Sequence, residues 1–484
     1  MDQIISGIRR KKPLQELLKE RDTSKLSRML GPLDLVALGI GAIIGTGIFV
    51  LTGVAAAQYA GPALILSFLL SGVAAVLAAI TYAELAAMIP VAGSAYTYTY
   101  ASLGEFAAWI VGWNIVLEYL VAAAAVSIGW SAYFTEAFRA IGIAFPSALT
   151  GPPAAGGMIN LPAVLIAITV TALVTAGTRE STTVNKVIVA IKVGVVLFFI
   201  ILGAGHVNPA NWHPFFPFGY PGIAHGAAII FFAYIGFDAV ATAAEETKNP
   251  QRNLPIGIIG SLAISTILYI LVTVVLTGLV AYRQLDVASP VATALLKAGV
   301  TWAGGIVAVG ALAGITSVLL VLVYAQTRVF YAMSRDGLLP GVFSKVHPRI
   351  KTPYLSSIFV GVGIVVIAGL VPIGIVAQLA NIGTLTAFVV VAIGVLVLRK
   401  TDPDANRPFK VPFSPYLPLL SLAFSLYLIF SLPPLTWVRF LVWMALGVAL
   451  YFMYGKRKSV LALKADLPRR RLISSPAGKP RPKS

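Results

Sequence analysis

The sequence predicts an all-α membrane protein of about twelve transmembrane helices, on the basis of its composition, its long apolar runs and two interruptions within them. Of the 484 residues, 58% are hydrophobic and only 11% are charged, and the mean hydropathy is +0.89. A soluble domain has about a quarter of its residues charged. A span needs about 20 mainly apolar residues, and the chain contains about twelve such runs. These features exclude a soluble globular protein.

Residues 1–32 form a basic N-terminal segment, and residues 455–484 form a basic tail. The chain carries 36 Lys and Arg residues and a net charge of +18. Most of these residues fall in the two terminal segments and in connections on one side of the predicted spans, so the positive-inside rule places both termini in the cytoplasm of a cell-membrane protein. The charge therefore predicts contact with anionic inner-leaflet lipids and not with nucleic acid.

The first interruption lies in residues 33–205, which are predicted to form a five-helix repeat. The segment Gly39–Phe49 reads GIGAIIGTGIF and contains four glycines. Each glycine inside a helix costs about 1 kcal/mol relative to alanine. The helix is therefore predicted to unwind near Gly45, Thr46 and Gly47.

The second interruption lies in residues 222–398, the predicted second repeat of five helices. Here Phe231–Val240 reads FFAYIGFDAV and places Gly236 and Asp238 inside an apolar run. Broken helices at corresponding positions of two halves are typical of secondary transporters, which bind substrate between the breaks. Because five is odd, the second half must enter from the opposite face, so the repeat is predicted to be inverted. Residues 414–454 form two additional helices outside it.

Backbone groups freed at the two breaks fit the shared head of an amino acid. Amides near Thr46 and Gly47 lie at a helix N-terminus, which favours a carboxylate. Carbonyls of Ile43, Phe232 and Ile235 can accept hydrogen bonds from an ammonium group. The alternative is that the first glycines only form a small-residue packing face. The predicted substrate site consists of Ile43, Gly45, Thr46, Gly47, Phe232, Ala233, Ile235 and Gly236.

Several side chains inside the predicted spans are candidates for a role in transport. An ionised Lys192 costs several kcal/mol in lipid unless carbonyl groups, a carboxylate or water partner it. Lys192 and Asp238 are the residues predicted to take part in proton coupling. The alternative for Lys192 is a residue that snorkels to the interface. Glu118 either lines a substrate side-chain pocket, takes part in coupling or is a satisfied packing acid. Glu84 is expected to make a structural hydrogen bond or to act in a gate. Phe232 is the predicted gate, with a core residue as the alternative.

Other chemistry-bearing residues receive structural interpretations. Tyr96, Tyr98, Tyr100 and Trp109 are expected to be interfacial anchors near a cytoplasmic connection. The chain has no cysteine, and its four histidines lack metal-ligand spacing. No phosphate-binding loop is found. No metal, cofactor or catalytic activity is therefore predicted.

Six long segments carry a resemblance to a known family. These are GAIIGTGIF (41–49), GPALILSFLLSG (61–72), YAELAAMIPVAGSAYTYTY (82–100), GEFAAWIVGW (104–113), FFAYIGFDAVATAAEETKNPQRNLPIGI (231–258) and TRVFYAMSRDGLLP (327–340). The chain resembles the cationic amino acid transporter family of the amino acid, polyamine and organocation superfamily from about residue 33 to residue 454.

This resemblance implies a five-plus-five inverted repeat, backbone capture of the substrate head at the two breaks, and an aromatic gate at Phe232. It places Lys192 where sodium sits in sodium-coupled relatives, which implies proton coupling. Asn114 departs from the aspartate common in the family, and the alanine-rich run at 122–126 changes the bulk of span three.

The expected function is proton-coupled uptake of small neutral, alanine-like, or cationic L-amino acids by alternating access. An amino acid exchanger is the main alternative, and a membrane amino acid sensor is a further one. The sequence gives no prediction of the oligomeric state.

Overall fold

A computed structural model describes residues 10–13, 17, 29–91, 93–177, 182–348 and 352–463. Within these ranges the regular elements are helices, and the only β pairings are two isolated bridges. The predicted all-α class is confirmed. Most of the basic N-terminal segment and the tail beyond residue 463 lie outside the described residues.

Eight described helical stretches are long and apolar enough to cross a membrane, and four shorter apolar helices accompany them. Together they make up the twelve predicted spans, because one stretch of 42 residues contains both the second half of span one and all of span two. The helices are α1 (Pro32–Ile43), α2 (Thr52–Ala55), α3 (Leu64–Met88), α4 (Ser94–Ser102), α5 (Glu105–Ala140), α6 (Leu161–Thr175), α7 (Thr182–Ala204), α8 (Gly219–Ile230), α9 (Ala239–Thr242), α10 (Pro250–Leu279), α11 (Pro290–Lys297), α12 (Thr301–Arg335), α13 (Tyr354–Leu370), α14 (Ile373–Thr401), α15 (Tyr416–Phe430), α16 (Pro434–Leu450) and α17 (Lys456–Lys458).

The broken spans lie at the centre of the bundle. The stretch Gly219–Thr242 contains the second break, and 83% of its most apolar 18-residue segment is buried inside the protein. In the last span, Pro434–Lys458, only 22% of the corresponding segment is buried. The centre also contains α5 and α12, which pack along each other, and α10, which packs on α1 and α3. The last two spans are therefore peripheral and present apolar side chains to lipid, since a spanning helix must satisfy its backbone internally and meet lipid with its side chains.

The interpretation of the tyrosines as interfacial anchors is wrong. Tyr96, Tyr98 and Tyr100 lie on α4, a short helix inside the bundle, and each is at most 1% exposed. Two of the hydroxyls donate to carboxylates, Tyr96 to Asp336 Oδ2 at 2.8 Å and Tyr100 to Glu105 Oε2 at 3.2 Å, while the Tyr98 hydroxyl has no hydrogen-bond partner among the described residues.

Trp109 is also a core residue and not an interfacial anchor. It is 1% exposed and its indole donates to Gly447 O at 2.8 Å. The indole therefore connects α5 to the last span, and its N–H is satisfied inside the protein, as a buried indole requires.

Segments near both ends of the chain meet at one face of the bundle, which we call the terminal face. Glu105 N, at the start of α5, donates to Arg10 O at 2.8 Å. Lys12 Nζ lies 3.2 Å from Asp336 Oδ1, just after α12. Val460 N donates to Asp336 O at 3.0 Å. These contacts place the described parts of the two terminal segments on the same face of the bundle.

Glu84 makes the structural hydrogen bonds that were the first of its two expected roles. Its carboxylate, 1% exposed, accepts from Arg399 Nε at 3.0 Å and from the Val411 amide at 2.6 Å, and it lies 3.6 Å from Arg407 Nε. These contacts fasten the end of α3 to α14 and to the connection that follows it. The carboxylate is thus paired and hydrogen-bonded, which a buried charge requires.

Candidate functional site

The first break is present where the glycines predict it. Helix α1 ends at Ile43, and Ile44 is extended, with φ −76° and ψ 101°. Helical structure resumes as a π-helical turn over Gly47–Leu51, with Thr46 as its N-cap residue. The first amides of this turn have no carbonyl one turn earlier in the same helix, so they are the groups that a ligand can use.

The second break is equally sharp. A 3₁₀ turn over Phe231–Tyr234 is followed by Ile235, which is extended with φ −62° and ψ 136°. Gly236 then has φ +117°, a conformation that side-chain-bearing residues rarely adopt. Helix α9 begins at Ala239. The discontinuous first and sixth spans of the predicted fold are therefore confirmed.

The two breaks touch each other. A β-carbon added to Gly236 would lie 2.8 Å from Ala42 O, and one added to Gly47 would overlap the Ala233 backbone. Glycine is thus required at both positions for the two interrupted chains to approach this closely. The polar backbone of one break consequently faces that of the other in the middle of an apolar bundle.

Tyr269 on α10 connects the carbonyl groups of the two breaks. Its hydroxyl oxygen lies 2.9 Å from Ile43 O and 2.9 Å from Ala233 O. One hydroxyl proton serves one of these carbonyls at a time, and each carbonyl oxygen can accept two hydrogen bonds. Both carbonyls therefore retain acceptor capacity.

A small cavity of about 10 Å³, roughly the room that one water molecule needs, lies between the breaks. Six of the predicted substrate-site residues line it, while Ala233 and Gly236 form the contact between the breaks. The remaining walls come from α1, α5 and α12, and apart from backbone groups and the Thr46 hydroxyl the lining is hydrocarbon. The lining residues are Ala42, Ile43, Gly45, Thr46, Gly47, Ala122, Val126, Phe232, Ile235, Val318 and Leu322.

Lys192 on α7 lies directly behind the first break. Its ammonium group donates to Gly41 O at 2.8 Å and to Ile44 O at 3.1 Å, and the residue is 0% exposed. These carbonyls belong to the C-terminal end of α1, where the helix dipole favours a cation. Lys192 is therefore a buried residue bound to the break, and not a residue that snorkels to the interface.

Asp238 follows the second break and is 5% exposed. Its Oδ2 accepts from the Tyr119 hydroxyl of α5 at 2.6 Å, whereas its Oδ1 has no hydrogen-bond partner among the described residues. The carboxyl group lies outside the cavity lining. It instead connects the second break to helix α5.

Glu118 is 2% exposed and also lies outside the cavity lining. Its side chain points to α14, where a β-carbon on Gly383 would lie 3.4 Å from Glu118 Cβ. Its Oε1 has no hydrogen-bond partner among the described residues. In this shape of the cavity, Glu118 is separated from the space between the breaks.

Comparison with known proteins decides the family. The amino acid permease family model matches residues 30–454. The chain belongs to the amino acid permease family. It is 50% identical over 459 residues to a methylthioribose transporter of Bacillus subtilis (strain 168), covering 94% of this chain and 100% of the relative. It is also 50% identical over 458 residues to the branched-chain amino acid permease BcaP of the same organism, covering 93% and 98%.

A human relative confirms the resemblance found in the sequence. Cationic amino acid transporter 4 of Homo sapiens is 40% identical over 408 residues, covering 82% of this chain and 64% of the relative. These relatives are transporters and permeases, so the chain belongs to a family of transporters and not of enzymes. The chain is therefore a multi-pass membrane protein.

The sequence did not indicate which residues of α5 and α12 form the side walls of the permease's cavity. Ala122 and Val126 lie four residues apart on α5, and Val318 and Leu322 lie four residues apart on α12, so each pair occupies one helix face. Both helices are apolar around their circumference, so periodicity does not show which face meets the breaks. The signal available in the sequence was the alanine-rich run at 122–126, which reduces bulk along span three.

Proposed function

We propose that this permease is a secondary active transporter that imports L-amino acids by alternating access and is driven by protons. The observation that carries the proposal is the cavity enclosed by two helix breaks that face each other. Discontinuous helices that meet in a bundle interior give a transporter its substrate site in lipid. The membership of the amino acid permease family supports the substrate class.

The backbone of the breaks suits the amino acid head. Amides of Thr46 and Gly47 would bind the carboxylate, and carbonyls of Ile43, Phe232 and Ile235 would accept from the ammonium group. A backbone site of this kind carries no fixed charge, so it binds a zwitterion without trapping it. Phe232, which is 5% exposed and lines the cavity, would close over the bound substrate.

The cavity walls favour a small neutral side chain. Ala122, Val126, Val318 and Leu322 present hydrocarbon, and the lining contains no acidic residue. A cationic side chain would be buried there without a counter-charge, which costs several kcal/mol. Glu118, the acidic candidate for a side-chain pocket, lies outside the lining. We therefore favour alanine-like or branched aliphatic substrates over cationic ones.

Proton coupling is assigned to Lys192, with Asp238 as the second participant. The Lys192 ammonium group donates to Gly41 O, within the last turn of α1, and to Ile44 O, just after α1 ends. Loss of its proton removes the charge from both interactions, which weakens them because charge-assisted hydrogen bonds are about twice as strong as neutral ones. The geometry of the break, and hence its affinity for substrate, would then depend on the protonation of Lys192.

Alternating access would move spans one, two, six and seven against a scaffold of spans three, four, eight and nine, arranged as an inverted repeat of residues 33–205 and 222–398. The terminal face would be cytoplasmic in a cell membrane, since the basic residues concentrate on the segments that reach it. Anionic lipids of that leaflet would contact those segments.

The test is uptake by purified protein in proteoliposomes in sodium-free buffer. Alanine, leucine, arginine and methylthioribose are supplied separately, with and without an inward proton gradient. Accumulation of alanine or leucine driven by the gradient alone is the expected result. Uptake that requires internal amino acid and ignores the gradient would identify an exchanger, and accumulation of methylthioribose alone would refute an amino acid substrate.

A further inference from the structure

The terminal face carries a second, separate arrangement around Lys12. Four residues of the N-terminal segment, Arg10–Pro13, together with Leu17, run across the ends of three helices, and we call these five residues the strap. Leu17 is 1% exposed and Lys12 is 7% exposed, so these two side chains are embedded in the bundle, whereas Lys11 and Pro13 are exposed. The strap touches the start of α5, the body of α4 and the end of α12 through the contacts described next.

Lys12 makes the central contacts of the strap. Its amide donates to Tyr100 O of α4 at 3.3 Å, and its ammonium group lies 3.2 Å from Asp336 Oδ1 at the end of α12. Asp336 also accepts from the Tyr96 hydroxyl of α4 at 2.8 Å. Through Asp336, one carboxylate therefore holds both the strap and α4 to the end of α12.

Helix α4 in turn lies between the second break and the terminal face. Phe237, the residue after Gly236, contacts Tyr82 with ring centroids 6.1 Å apart, and Tyr82 contacts Tyr98 of α4 at 5.4 Å. Tyr82 OH also accepts from the Ala95 amide at 2.9 Å. Closely packed rings thus fill the path from the second break to α4, and substrate leaving towards this face must displace them.

We propose that the strap is a lock on this face, in which the Lys12–Asp336 ion pair holds α4 closed under the cavity and must open before substrate can leave on that side. Two features suit a lock better than a permanent anchor. Asp336 is 13% exposed, so water can reach the pair when it separates. Residues 10–13 of the strap lie outside any helix, so they can detach without unfolding the helices they cover.

The absence of cysteine from the chain allows a direct test by single-cysteine labelling. Thr97 on α4 is 6% exposed and lines a small cavity with Lys12 and Asp336, so Thr97→Cys reports opening beneath the strap. Ser289→Cys, at a site 1% exposed in the connection before α11, reports general loosening. Maleimide labelling rates are measured on purified protein in nanodiscs, where both faces are accessible.

The expected result is that Lys12→Ala accelerates labelling of the Thr97→Cys reporter about tenfold, which corresponds to about 1.4 kcal/mol, and leaves the Ser289→Cys reporter unchanged. Asp336→Asn should act in the same way. Lys11→Ala is the matched control, because Lys11 is exposed and adjacent, and it should have no effect. Lys12→Arg, which keeps the cation, should label at close to the unmodified rate.

Three outcomes would overturn the proposal. The first is equal labelling in the Lys12→Ala and Lys11→Ala proteins, which would make the pair irrelevant to closure. The second is faster labelling of both reporters, which would show a structural anchor whose loss loosens the whole bundle. The third is that the double variant Lys12→Asp with Asp336→Lys labels as fast as Lys12→Ala. A lock made by the ion pair requires only opposite charges at these two positions, so the exchanged pair should restore slow labelling.

Discussion

Gly236→Ala should deform the site between the breaks more than it destabilises the protein. Gly236 has φ +117°, and a non-glycine residue held in such a sparsely populated conformation costs about 1–3 kcal/mol. The added methyl group would also lie 2.8 Å from Ala42 O and 2.9 Å from Ala42 C, both backbone atoms that a rotamer change cannot move. Overpacking of this kind costs about 1–3 kcal/mol more.

Two other glycines separate the causes of this effect. Gly299 also has a positive φ, +87°, but nothing lies within 4 Å of its added methyl group, so Gly299→Ala introduces the strain alone. Gly47→Ala introduces the overlap with Ala233 without a positive φ. If the contact between the breaks matters, Gly236→Ala and Gly47→Ala should share a defect that Gly299→Ala lacks.

The assay combines initial uptake rates in proteoliposomes with the melting temperature of the purified protein. The Gly236→Ala and Gly47→Ala proteins should lose uptake by about tenfold or more, since about 1.4 kcal/mol of distortion at the site suffices for that factor. The Gly299→Ala protein should show a lowered melting temperature with uptake within about twofold of the unmodified protein. Uptake by the Gly236→Ala protein equal to that of Gly299→Ala would refute the argument that the breaks must touch.

Three further variants test separate parts of the structure. Lys192→Met should abolish pH-driven accumulation in proteoliposomes and spare counterflow, and retained accumulation would end the coupling role of this residue. Glu84→Ala leaves the buried guanidinium of Arg407 and the 26% exposed guanidinium of Arg399 without their carboxylate and should cost about 3 kcal/mol of stability, seen as a lower melting temperature than that of the exposed control Lys400→Ala. Tyr269→Phe removes a hydroxyl shared by both breaks and should weaken substrate binding about fivefold, consistent with about 1 kcal/mol for one hydrogen bond; unchanged affinity in a competition assay would contradict it.

The positions of the breaks could be predicted because glycine acts locally. Four glycines in one apolar segment weaken a helix wherever the rest of the chain lies, and the observed interruptions fall at Ile44–Thr46 and Ile235–Gly236. The burial of Lys192 was predictable for a similar reason, since its depth within an apolar run places it in the membrane. The partners of Lys192 could not be read from the run itself.

The errors arose where burial depends on distant partners. Tyr96, Tyr98 and Tyr100 look like interfacial anchors in isolation, because their rings are amphipathic. All three are buried, and Asp336 and Glu105 satisfy the hydroxyls of Tyr96 and Tyr100, whereas Tyr98 packs its ring against Tyr82. Similarly, Glu118 was a candidate for a side-chain pocket on the basis of its span alone, and its direction towards α14 depends on the rotation of α5 about its own axis.

The sequence by itself determined the helical class, the twelve apolar segments and the two places where a span breaks. Lipid offers no partners to backbone groups, so an apolar segment of this length must be helical, and glycine interrupts it locally. The tertiary structure alone decided that the two breaks touch, which faces of α5 and α12 wall the cavity, and that Lys192 donates to a carbonyl 151 positions away. These features depend on how helices rotate and pack against one another, and that is settled by shape complementarity between segments far apart in the chain.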